Sequence, residues 1–179
     1  MEVKNRFKYE NSLEEKQQET FWQSNPLDYG GRPYVELMCI PPFGMNYLLF
    51  QMTWNNAEIY WHRTTWKQEN DREILAIWLE YAYNEDKFLP LHLTLLKEEG
   101  KAETKNIQHI IKQISNLSIS PVLGQDPWHR GRDGESLTLK IGYAEVSICL
   151  SWQTSNTPDE WASLDKLAQD ILLINKQLK

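Results

Sequence analysis

Only two cysteines, Cys39 and Cys149, occur among 179 residues. Two are too few for a disulfide framework in a chain of this length. Each sits in an apolar, strand-like run, where a free cysteine behaves as a small core hydrophobe. Long apolar runs are missing as well: the longest is far below the roughly 20 residues that span a membrane as a helix. The opening stretch Met1-Glu2-Val3-Lys4-Asn5-Arg6 has no apolar segment of the secretory kind. These absences point to a reducing cytoplasm and away from a membrane. Basic residues are outnumbered, 19 against 25, for a net charge of −6. The pI is near 5.3. Binding to nucleic acid or to anionic lipid rests on basic patches, and no interleaved basic and aromatic stripe exists to track phosphates. The acidity suits a basic partner, and it is also ordinary for a cytosolic protein.

Catalytic signatures are lacking too. There is no Gly-x-Ser-x-Gly, no His-Glu-x-x-His and no paired Cys-x-x-Cys. Neither cysteine lies in the basic, exposed setting that lowers a thiol pKa. Gly30-Gly31 is far from the full phosphate-loop pattern. The sequence therefore assigns no catalytic residue, no metal ligand and no cofactor, and it reads as a binding protein rather than an enzyme.

What is present is apolar and aromatic. Apolar residues make up 41% of the chain, enough for a real core. The length suits a single domain, with the polar residues 1–11 as a flexible arm. Eight Trp and eight Tyr exceed what a core this size can hide, because indole N–H and phenol O–H groups need partners. Some of them are expected at the surface, where they favour binding.

Ser12-Leu13-Glu14-Glu15 has the form of a capping box and predicts a short helix over 13–22, stopped by Asn25-Pro26. Asp28-Tyr29-Gly30-Gly31 predicts a turn. Strands follow over 34–40, 46–54 and 57–66, with Asn55-Asn56 as a two-residue hairpin turn. A helix is predicted over 68–83, an alternating edge strand over 88–96, a turn at Glu99-Gly100 and a helix over 102–117 with Ile107, Ile110, Ile111, Ile114 and Leu117 as its buried stripe. A hairpin over 136–143 and 145–152 precedes Thr157-Pro158-Asp159-Glu160. That run has the form of a helix start, with Thr as N-cap and Pro at the first helical position. Trp161, Leu164, Leu167, Ala168, Ile171, Leu172 and Ile174 form the apolar side of the last helix. Strand runs punctuated by helices, without regular alternation, predict an α+β fold: one antiparallel sheet of meander and hairpin strands, with helices mainly on one face.

The candidate site is the polar loop 125–135 that feeds the hairpin. Trp128, His129, Arg130, Arg132 and Asp133 fall within it, and Trp and Arg dominate binding hot spots. Asp126, His129, Asp133 and Glu135 offer N and O donors of the kind divalent metals accept. The same residues also fit a surface loop turned by Asp133-Gly134, with Trp128 tucked onto the domain. Trp-His-Arg occurs twice, at 61–63 and 128–130. Adjacent strands would bring both histidines to one cleft, and chance in a Trp-rich chain explains the repeat equally. Acids gather at Glu69-Asp71-Glu73, at Glu80 with Glu85-Asp86, and at Glu98-Glu99-Glu103. They read either as a rim that steers a basic partner or as solvated helix ends.

The last quarter of the chain carries Asp133-Gly134-Glu135, a hairpin ending in Trp152, then Pro158 and Trp161 opening a Leu-rich helix. In this it resembles small bacterial α+β proteins, some of them immunity proteins that neutralise toxin domains of contact-dependent or type VI secretion systems. The resemblance implies a cytoplasmic protein that occludes a cognate toxin domain; for that role the chain's own composition offers Glu85 and Asp86 as an acidic rim and Trp128, His129, Arg130, Arg132 and Asp133 as anchors. It carries over no family site and no oligomeric state. A metal-dependent hydrolase built on the 126–135 loop, and a scaffold or adaptor subunit, are the alternatives.

Overall fold

The computed structural model describes residues 16–23, 28–41, 46–73, 93–118, 135–143 and 146–178. The strands are β1 (Pro33–Ile40), β2 (Tyr47–Trp54), β3 (Glu58–Trp66), β4 (Leu95–Glu103), β5 (Ser136–Tyr143) and β6 (Val146–Gln153). Helical residues are 16–23 (α1), 68–73 (α2), Gln108–Ser115 (α3) and Ala162–Gln177 (α4). The strands form one antiparallel sheet in the order β4-β3-β2-β1-β5-β6. The β1–β3 meander and the β5–β6 hairpin, both legible as alternating segments, join where β1 pairs with β5. This is an α+β fold with a single sheet.

Strand alternation sends Val35, Leu37 and Cys39, Phe50, Met52 and Trp54, Ile59 and Trp61, and Leu137 and Leu139 to one face. Helices α3 and α4 cover that face with Ile110, Leu164, Leu167, Ala168, Ile171 and Ile174. Burying each large side chain of this kind contributes about 1.5–3 kcal/mol. Polar ties fix the layers. Gln113 Nε2 donates to Asp170 (2.7 Å), and Trp152 Nε1 donates to Asp165 (2.8 Å). Arg63 bridges β4 and the end of α4, donating to Glu98 (2.7 Å) and to the Asn175 carbonyl (2.6 Å). The opposite face holds a smaller cluster in which Phe21 of α1 packs on Tyr47, Leu49 and Trp66.

Several predicted boundaries move. Glu99-Gly100 is no turn; both residues lie within β4. Gly100 faces Trp61, whose indole occupies the place a Cβ would need, 2.8 Å away. The glycine therefore marks a close approach, not a chain reversal. The edge strand accordingly spans Leu95–Glu103 rather than 88–96, of which 88–92 lie outside the described residues. The helix expected over 102–117 begins later: Thr104–Ile107 is a 3₁₀ turn and α3 follows it.

The β2–β3 turn is displaced by one residue. Asn55 N–H donates to the Glu58 carbonyl (3.0 Å), leaving Asn56 and Ala57 at the centre. The Asn55 side chain accepts from the main-chain N–H of Ala57 and of Glu58 (both 2.8 Å). Asn55 thus shapes the turn through its side chain, as an Asx turn. Thr157 does not cap the last helix: its hydroxyl turns back to the Gln153 carbonyl, and a 3₁₀ turn over Asp159–Trp161 comes before α4. At 28–31 the predicted turn is present, with φ of 55° at Gly30 and 71° at Gly31, a region that glycine enters without strain.

Candidate protein-binding surface

The helix-free part of the outer sheet face is built from cross-strand rows. One row runs Gly142, Tyr34, Thr53, Tyr60, Lys101; the next runs Lys140, Glu36, Gln51, His62, Glu99. The third and fourth rows turn apolar toward Leu49, Tyr47 and Trp66, which α1 covers. The first two rows carry tyrosines and charges on a rigid backbone: Tyr34, Glu36, Gln51, Thr53 and His62 are buried in them, Tyr60 and Lys140 are half-buried, and Glu99 and Lys101 are exposed.

Tyr29, from the Gly-Gly turn, folds over this surface. Its ring stacks on Tyr34 with centroids 3.8 Å apart. Its hydroxyl donates to Glu36 (2.8 Å), and Gln51 Nε2 donates to both Glu36 (2.8 Å) and the Tyr29 oxygen (3.1 Å). Burial, followed by the charge of Glu36, pushes the Tyr29 phenol well above its ordinary range. It therefore stays protonated and remains a donor. The other carbonyl group of this network, Gln51 Oε1, is buried without a hydrogen-bond partner. Beneath Tyr34, Gly142 leaves the room that the ring needs. Cations surround the rings: Arg32 lies 5.1 Å and Lys101 4.8 Å from the Tyr60 centroid, and Lys140 lies 5.8 Å from that of Tyr34. The Tyr60 hydroxyl donates to Glu58 (2.7 Å). Stacking, cation–π contacts and hydrogen bonds hold these side chains in place before any partner arrives.

No protein-family model, no curated protein and no solved structure matches this chain.

Of the residues that the sequence points to, Trp128, His129, Arg130, Arg132, Asp133, Glu85 and Asp86 lie outside the described residues, as does Asp126. Glu135 is described, half-buried at the entry to β5, where its carbonyl accepts from Thr154 N–H (2.9 Å). Of the two Trp-His-Arg tripeptides, the first is on β3. His62 points to the outer face and is buried, and burial, more than the opposing charge of Glu99, lowers its pKa. The acids divide. Asp71 is buried and accepts from Trp66 Nε1 (2.6 Å) and Thr94 N–H (2.8 Å), so it is a structural group and not part of a rim. Glu98 and Glu99 sit within the edge strand β4, and Glu103 closes that strand as the residue just before the 3₁₀ turn over Thr104–Ile107. Among the described residues no group of three or more His, Cys, Asp or Glu is placed to hold a metal, and no helix is long and apolar enough to cross a membrane. Tyr29, Arg32, Tyr34 and Tyr60 carry no binding motif in the sequence; strand register together with the Gly30-Gly31 turn assembles them.

Proposed function

We propose that this chain is an immunity-type binding protein that neutralises a cognate bacterial toxin domain by covering its active surface. The observation that carries the reading is the pre-ordered outer face, where the half-buried Tyr29 and Tyr60, the first stacked on the buried Tyr34, are flanked by Arg32, Lys101 and Lys140. Tyrosine and arginine are the residue types that dominate interface hot spots, and side chains fixed beforehand lose little entropy on binding. Glu58 and Glu99 at the margin, with the net charge of −6, favour a basic partner and speed its approach.

The test is capture of the tagged protein from its own host, with mass spectrometry of what co-elutes. A stoichiometric partner carrying a toxin domain is expected. Arg32→Ala and Tyr60→Ala should each weaken that complex by about 30-fold, the equivalent of a hot-spot side chain. If the toxin encoded beside this chain runs separately from it in size exclusion, the reading fails.

A further inference from the structure

The two edges of the sheet are guarded differently. β4, at one edge, alternates charge along its length through Lys97, Glu98, Glu99, Lys101 and Glu103. Charges of this kind keep an open edge from pairing with another chain. β6, at the other edge, reads Val-Ser-Ile-Cys-Leu-Ser-Trp-Gln and carries no charge. Among the described residues it pairs only with β5. Tyr143, Val146 and Ile148 are 63%, 75% and 54% exposed beside it. They border an open apolar groove of about 600 Å³, walled by Ile111 and Ile114 of α3 and by Ile141.

We propose that β6 pairs antiparallel with β6 of a second copy, joining two sheets into one. The main chain fixes the parity of the pairing. Thr154 N–H donates to the Glu135 carbonyl, continuing the β5–β6 register. Even-numbered residues of β6 thus turn their main-chain groups to β5, and Ser147, Cys149 and Ser151 turn theirs outward. Outward groups meet outward groups when a two-fold axis passes through Cys149. Ser147 then lies opposite Ser151 of the second copy, Ile148 opposite its Leu150, and Val146 opposite its Trp152. Apolar side chains meet on the helix-covered face and small ones on the other, and no like charges oppose each other although each chain carries −6. That self-complementarity is what an isologous interface requires. A strand of this length runs about 27 Å, so the pairing extends over the whole of β6. Val146 and Ile148 belong both to the strand and to the groove lining, so the apolar strip offered to the second copy continues past the strand itself. The outer tyrosine face stays open in this arrangement, so the pairing is independent of toxin binding.

The native cysteines supply the probe. Cys39 is buried and its thiol is pushed up to about 12, whereas Cys149 is exposed. Light scattering on the full chain should give twice the 21.2 kDa of the monomer. A short bismaleimide should link two copies, and Cys149→Ser should abolish the link while leaving the dimer intact. Ile148→Lys should give a monomer with unchanged circular dichroism. A wild-type chain that stays monomeric at tens of micromolar overturns the proposal. So does a dimer that survives Ile148→Lys and resists linking through Cys149.

Discussion

Asp71 shows how a single side chain can hold the outer cluster together. It accepts from the indole of the fully buried Trp66 and from both the N–H and the hydroxyl (2.5 Å) of Thr94. Asp71→Ala would leave buried donors unpaired, at about 1–3 kcal/mol for each group. We expect a loss of about 2–4 kcal/mol in urea unfolding. A loss within about 0.5 kcal/mol, the range of ordinary surface changes, would show that water replaces the carboxylate.

His62 carries the pH dependence of the same face. Its folded pKa lies below the ordinary 6.5 because burial disfavours the imidazolium; Glu99 opposes that shift and Lys97 adds to it. The unfolded chain therefore binds the proton more readily. The contribution of His62 is complete above pH 6.5 and is lost as pH falls from there through the folded value. His62→Gln should reduce the drop in urea midpoint between neutral pH and about pH 5. An unchanged drop would assign the acid sensitivity to other groups.

Among the elements, β5 depends on one glycine. Gly142 pairs with Tyr34, and any Cβ there would collide with the Tyr34 ring. Tyr29 stacks on that ring with centroids 3.8 Å apart, so the ring cannot shift without disturbing the stack. Gly142→Ala should cost about 1–3 kcal/mol, the range for overpacking, and should displace the Tyr29–Tyr34 stack. Near-ultraviolet circular dichroism reads the displacement directly. A variant of wild-type stability with an unchanged spectrum would mean that the strand yields at that point. The last helix needs no such device. Leu164, Leu167, Ala168, Ile171 and Ile174 recur at helical spacing and all are buried, so its existence follows from period alone.

For the whole molecule, charge and oligomeric state are the measurable quantities. With −6 on each chain, association with a basic partner should slow as salt rises, because screening shortens the reach of the field. Stopped-flow rates at increasing salt would show it, and a salt-independent rate would place the binding energy in apolar contact alone. Strand pairing through the uncharged β6 should respond weakly to the same salt.

The sequence by itself determined the elements whose signal is local. Alternation located β1, β2, β3, β5 and β6 to within a residue or two, a 3.6-residue period located α4, and the Gly30-Gly31 turn followed from glycine's freedom at positive φ. It also determined the fold class, because runs of strands broken by helices leave a single antiparallel sheet as the simplest solution. Local signal misled where a residue serves a distant neighbour. Gly100 looks like a turn until Trp61 lies against it, and Leu95–Glu103 reads as the end of one strand, a turn and the start of a helix until β3 pairs with it. Asp71 looks like a helix-start acid until Trp66 reaches it. Tertiary structure alone decided the β1–β5 junction, and with it the rows that place Tyr34 beside Gly142 and Tyr60 beside Lys101. Those contacts join residues more than a hundred positions apart in the β1–β5 pairing, and no periodicity within one segment can encode a pairing between two.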